Sequence, residues 1–233
     1  MYGLDPTYFI FVLPALLLAM FAQYRVRSAY SKWSRVANSR NATGLDVARV
    51  LIPQENIQAT VEGTPGELSD HYDAQRNILR FSPAVAQQPS IAAMSIAAHE
   101  IGHAAQDRDN YLWLKLRAGI VPFVQFGSSI GYLVFGAGLL GQMPGLAWLG
   151  VLLISAGAVF AIVTLPVELD ASSRAMQMLE KHGFLGTREE KAAARDMLNA
   201  AALTYFAAAA QAISTVLYYV FLLMGSSRRR RSY

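Results

Sequence analysis

Two of the chain's four histidines stand four residues apart, with a glutamate directly after the first, in the string His99-Glu100-Ile101-Gly102-His103. On a helix, positions i and i+4 project from one face, so both imidazoles can bind one metal ion. The adjacent Glu100 carboxylate can then reach a water that the metal activates, take its proton during attack on a peptide carbonyl, and pass that proton to the leaving nitrogen. With 4 His and 8 Glu in the chain, an H-E-x-x-H string arises by chance in about 0.2% of chains of this composition, so coincidence explains it poorly. The plainer reading, two structural helix histidines, leaves unexplained why half of all the histidines fall in this one motif.

A catalytic zinc keeps three protein ligands and one open position, and a chain without cysteine must find the third among His, Asp and Glu. Glu168 and Asp170, in the segment LPVELDASSRAM, are candidates because an apolar hairpin between them and the motif returns the chain to the same side. His71 lies in a turn-rich stretch, and His182 precedes Gly183, where a helix C-cap is the ordinary reading; both are weaker ligands.

These residues need elements to hold them. The motif sits inside IAAMSIAAHEIGHAAQ, alanine-rich and free of proline, which predicts a helix starting near Ser90. Upstream, Gly44 to Leu51 reads as a helix, and Ile57 to Glu62 and Asn77 to Phe81 read as short strands. The intervening TPGELSDHYDAQRN is dominated by turn formers.

The rest of the chain belongs to a membrane. It is 54% hydrophobic and 15% charged, and its apolar residues collect in runs of the length that crosses a hydrocarbon core. The first, Thr7 to Tyr24, has no Lys or Arg before it and Arg25, Arg27, Lys32, Arg35 and Arg40 after it, which predicts an uncleaved anchor with its N-terminus outside. Residues 25–117 hold 11 of the 20 Lys and Arg, which predicts a cytoplasmic location for this region. Ala118 to Leu140 and Leu146 to Leu165 form a transmembrane hairpin about the turn GQMPG, with Gly127 and Gly131 spaced to let helices approach. A last run covers Ala200 to Met224. Four spans from an outside N-terminus leave the tail outside, whereas Arg228 to Arg231 favour the cytoplasm, so the count is three or four. The net charge of +4 resides at membrane flanks and predicts no nucleic-acid partner.

The pairing of AAHEIGHAAQ with PVELDASSRA, preceded by LSDHYD and FSP, resembles the membrane zinc metallopeptidase family of the YugP type over nearly the whole chain. The resemblance implies a gluzincin-like site, similar also to HtpX-type membrane proteases, with His99 and His103 as ligands, Glu100 as catalytic base and Glu168 as third ligand. The wider gluzincin pattern has Asp four residues after the ligand glutamate, orienting a ligand histidine; here that position is Ser172. Asp170 faces about 200° around a helix from Glu168. It remains an alternative ligand or a second-shell group, within i+4 reach of Arg174. In related gluzincins an edge strand before the motif helix pairs with the extended peptide, and Asn77, Ile78, Leu79, Arg80 and Phe81 occupy the matching position.

The sequence thus predicts a mainly α, multi-pass transmembrane helical protein with a small α+β zincin-like HExxH catalytic domain. Its segments are an anchor (1–24), a cytoplasmic catalytic region (25–117), a transmembrane hairpin (118–166), a third-ligand helical region (167–199), a final apolar segment (200–225) and a basic tail (226–233). The expected activity is zinc-dependent hydrolysis of peptide bonds, with one Zn2+ per chain, protein or peptide substrates and a lipid bilayer around the spans; the sequence carries no signal of oligomeric state. A zinc-binding scaffold without turnover has no use for Glu100. A transporter would carry ionisable residues inside its spans, and the hairpin runs carry none.

Overall fold

A computed structural model describes the backbone of residues 6–230 and the side chains of residues 7–225. The side chains of Arg228 to Arg231, on which the expected side of the tail turns, lie outside the described residues. The chain forms two compact units. One is built from residues up to Phe21, Lys115–Leu165 and Thr204 onward, and the other from Ala22–Leu114 and Pro166–Leu203.

In chain order the helices and strands are α1 (Pro6–Trp33), α2 (Gly44–Gln54), β1 (Thr60–Gly63), β2 (His71–Asp73), β3 (Ile78–Phe81), α3 (Pro83–Gln87), α4 (Ile91–Arg108), α5 (Leu112–Leu140), α6 (Pro144–Lys181) and α7 (Arg188–Arg230). The protein is mainly helical with one small sheet. Among the described residues four helices, α1, α5, α6 and α7, are long and apolar enough to cross a membrane. Helix α6 has 38 residues, about 57 Å at 1.5 Å per residue, far more than a bilayer core of about 30 Å requires. Its apolar part ends at Leu165, and the remainder, from Pro166 to Lys181, carries LPVELDASSRAM onward into the other unit. Both α1 and α5 also run past the apolar stretches that announced them, to Trp33 and back to Leu112.

In the first unit α5 and α6 turn about Gly141–Met143, where Gln142 takes φ 56°. Of the two glycines expected to permit close packing, Gly131 does so: a Cβ there would stand 2.9 Å from Ile154 N. Gly127 has ordinary room, its nearest neighbour being Leu153 O at 3.7 Å.

The second unit has a conventional core. Thr43 caps α2 in a reciprocal capping box with Asp46, and Gly44, Val47, Ala48 and Leu51 give the helix its buried stripe. Ser90 caps α4, accepting from Ala93 N at 3.1 Å. Alanines at 92, 93, 97, 98, 104 and 105 make α4 slim enough to be buried on most of its circumference, its Met94 and Ile101 clustering with Leu51, Leu79, Phe81, Leu179 and Phe184.

The sheet departs from expectation. Its order is β1-β3-β2, with β1 parallel and β2 antiparallel to β3. The segment read as turns contains a strand, β2, whose three residues His-Tyr-Asp are too few and too polar to show an alternating pattern. Its hairpin with β3 closes through Asn77 at φ 55°. Consequently the run Asn77 to Phe81 is the middle of the sheet, with both hydrogen-bonding edges occupied, and an extended peptide has no edge to join there.

A close contact in this unit joins α4 to α6. A Cβ on Gly102 would meet Ala171 O at 2.6 Å, closer than real Cβ atoms approach a backbone oxygen. Gly102→Ala is therefore expected to force the helices apart and destabilise the unit by about 1–3 kcal/mol, as overpacking does. Unfolding of the purified protein in detergent checks this, and an unchanged midpoint would contradict the packing argument.

Candidate metal centre

Helix α4 presents His99 and His103 one turn apart, their ring centroids 4.7 Å from each other. The approach at Gly102 brings α6 alongside, and Glu168 Oε2 lies 3.3 Å from His99 Nε2 and 3.5 Å from His103 Nε2. These three residues form the group of potential ligands among the described residues, with their donor atoms all within 4.8 Å. The donor set suits zinc. Bonds of 2.0–2.2 Å at tetrahedral angles separate neighbouring donor atoms by about 3.4 Å, which is the spacing found between the carboxylate oxygen and each imidazole.

The other nitrogen of each ring is also engaged. His99 Nδ1 lies 3.2 Å from Ser172 Oγ. His103 Nδ1 lies 3.0 Å from Gln106 Oε1, and Gln106 Nε2 donates to Val167 O at 2.7 Å and to Asp170 Oδ2 at 2.8 Å. Every one of these contacts except the first, which joins α4 to Ser172, involves Gln106. Ser172 occupies the place where the gluzincin pattern has Asp, and its hydroxyl stands against the histidine that the Asp would orient.

Glu100 faces β2 of the sheet. It is buried, and it receives a hydrogen bond from the Tyr72 backbone in β2. Burial pushes its carboxyl up to about 7; the nearby Glu168 and Asp70 act in the same direction, and His99 and the Tyr72 bond act against it. A buried carboxyl poised near neutrality suits proton transfer in both directions. Because the Tyr72 N–H points at α4, the outer edge of β2 faces the candidate centre. Asp70, one residue before β2, accepts from Ser82 N at 2.6 Å and Ser82 Oγ at 3.1 Å, and this clamps the start of the strand to the end of β3.

The remaining expected site residues lie elsewhere. Asp170 does not join the ligand group: its Oδ2 accepts from Gln106 and, at 2.6 Å, from Arg174 Nε, as the i+4 spacing predicts. Helical geometry turns it away from Glu168. His71 is exposed, with Nδ1 2.8 Å from Ser69 O, and His182 Nε2 lies 2.7 Å from Glu55 Oε1. Asn77 Oδ1 is 2.7 Å from the Tyr72 hydroxyl, and Arg80 pairs with Asp73 at 3.0 Å. Two residues that touch the centre, Gln106 and Tyr72, escaped the sequence reading. Gln106 had a signal: it is the first polar residue after the motif and stands three residues from His103, hence on its face.

A family model described as "Putative neutral zinc metallopeptidase" matches residues 8–224. The chain belongs to this family. It is also similar to a protein named "Putative membrane protease YugP" from Bacillus subtilis (strain 168), 42% identical over 199 residues that cover 84% of this chain and 88% of that protein. No solved structure matches it. The family match spans both units, so the ligand-bearing segments of α4 and α6 fall within it together.

The geometry separates the two downstream carboxylates by experiment. Glu168→Ala is expected to abolish stoichiometric zinc binding to the purified protein, measured by metal analysis after gel filtration. Asp170→Asn is expected to retain the metal. Retention by the first variant and loss by the second would exchange their roles.

Proposed function

We propose that this protein is a membrane-bound, gluzincin-like zinc endopeptidase. The observation that carries the reading is the convergence of His99, His103 and Glu168, with donor atoms within 4.8 Å of one another and the carboxylate 3.3 and 3.5 Å from the two imidazole Nε2 atoms, beside a buried Glu100. One zinc per chain, held by these three side chains, would supply Lewis acidity toward a water and the scissile carbonyl.

The chain's own residues do the rest. Glu100 accepts the proton of the attacking water as the new C–O bond forms. It returns that proton to the amide nitrogen as the C–N bond breaks, so the products are a carboxylate and an amine. Its burial excludes bulk water from the proton that it carries. The extended substrate main chain lies along the outer edge of β2, the strand at the rim of the sheet.

The substrate class follows from where the ligands sit along the helix. Glu168 is three residues past Leu165, about 5 Å along the α6 axis from the end of the apolar run. Polypeptide lying close to a membrane surface reaches such a site, whether it is a loop of a membrane protein or a misfolded chain adsorbed there. The Lys and Arg content of the regions flanking the spans supports a site on the cytoplasmic side.

The test is cleavage of casein and of membrane-protein substrates by the protein purified in detergent, with wild type compared with Glu100→Gln. Wild type is expected to hold one zinc and cleave, and to stop when the zinc is chelated. Glu100→Gln is expected to keep the zinc and lose at least about 100-fold in rate, the low end of a general base's contribution. A zinc-loaded wild type that cleaves nothing, or a variant that cleaves as wild type does, would leave a zinc-binding scaffold as the better description.

A further inference from the structure

Gln106 is completely buried and its side-chain amide is saturated. One end faces two acceptors, the Val167 carbonyl at 2.7 Å and the Asp170 carboxylate at 2.8 Å. An amide presents two hydrogens at its nitrogen and none at its oxygen. Turned over, it would set its oxygen against two other oxygens at under 3 Å while Gln106 itself is shielded from solvent, and the repulsion would go unrelieved at the buried Val167 carbonyl. The NH2 group must therefore face Val167 and Asp170, and the oxygen must face His103. The carboxylate is itself held, since Arg174 Nε donates to the same Asp170 oxygen and Arg174 Nη1 continues to Asp109 Oδ2.

This has a consequence one bond further along. Gln106 Oε1 only accepts, so His103 Nδ1, at 3.0 Å, must carry a hydrogen. In the neutral ring the lone pair then belongs to Nε2, the atom that faces Glu168 at 3.5 Å. The other ligand ring has no such constraint. His99 Nδ1 faces the Ser172 hydroxyl, which donates or accepts equally well and accommodates either tautomer.

We infer that Gln106 is a positioning residue that fixes His103 in its ligand-ready tautomer before any metal arrives, with Asp170 and Arg174 holding the amide in the required orientation. The inference rests on the zinc site proposed above. It assigns the two histidines unequal parts: His103 is the pre-set ligand and His99 the adjustable one.

The measurement is long-range 1H–15N NMR of the metal-free protein in detergent, labelled at histidine, with signals assigned through His99→Gln and His103→Gln. In the wild type, His103 is expected as the Nδ1–H tautomer. Gln106→Met fills similar volume without an acceptor; it is expected to release His103 into a mixture of tautomers and to weaken zinc binding about 10–100-fold in competition with a chelator, the usual effect of removing such a partner. Ser172→Ala is expected to leave the His103 signal unchanged. An Nε2–H tautomer in the wild type overturns the inference without recourse to any variant. So does a well-folded Gln106→Met protein, judged by circular dichroism, that retains wild-type zinc affinity. Absence of zinc binding in the wild type would instead refute the metal site itself, so the two failures are distinguishable.

Discussion

The candidate centre depends on how closely two helix backbones approach. Its potential ligands come from α4 and α6, whose carboxylate-to-imidazole distances are 3.3 and 3.5 Å, and beside them the two backbones meet. Helices ordinarily pack with axes 8–10 Å apart, the spacing being set by the side chains at the contact. At this crossing the contact residues are Gly102, inside the histidine motif, and Ala171, three residues after Glu168. The same small crossing lets Gln106 reach Val167 and Asp170, and lets Ser172 reach His99. Gly102 thus explains why the second variable position of the motif is so small here: a side chain would separate the motif from the residue that completes it.

The hydrogen bonds around the centre oppose a real cost. Glu100 and Glu168 are both buried, and each raises the energy of the other's charged form. Such groups persist only where the surroundings hold them. The hairpin of β2 and β3 is clamped by Asp70 on Ser82, and β2 in turn bonds Glu100. The unit spends its sheet less on substantial core formation than on holding one edge against α4, with three strands of four residues or fewer.

Much of this was legible in the sequence because it is encoded locally. The α4 helix declared itself through alanine content and the Ser90 cap, the spans through the length of their apolar runs, and the Asp170–Arg174 pair through i+4 spacing. Two of the sheet's strands, β1 and β3, were legible from short apolar runs, whereas β2 was not. A three-residue polar strand has no periodicity, and the turn formers around His71 to Asp73 concealed it, so β3 was taken for an edge. Gln106 was overlooked for a different reason. The motif alone accounts for the two histidines, while the orientation of the acceptor at His103 Nδ1 appears only when Val167 and Asp170, more than sixty residues away, are found against the amide. Pairing of Glu168 with the motif was suggested by the return of the hairpin and sharpened by family resemblance; spacing along the chain does not itself distinguish Glu168 from Asp170.

Ser172 then makes electrostatic sense. A zinc ion brings two positive charges, and Glu168 with ionised Glu100 would match them. A further carboxylate against His99 would leave the buried site negative in a low-dielectric setting, where an uncompensated charge is expensive. A hydroxyl at that place keeps the hydrogen-bonding position without the charge. The carboxylate of Asp170 is paired directly with Arg174 at 2.6 Å and bonds the Gln106 amide. Ser172 and Gln106 are therefore parts of one arrangement: the rings of both candidate ligands meet neutral groups at Nδ1, and the Asp170 carboxylate behind Gln106 is paired with Arg174.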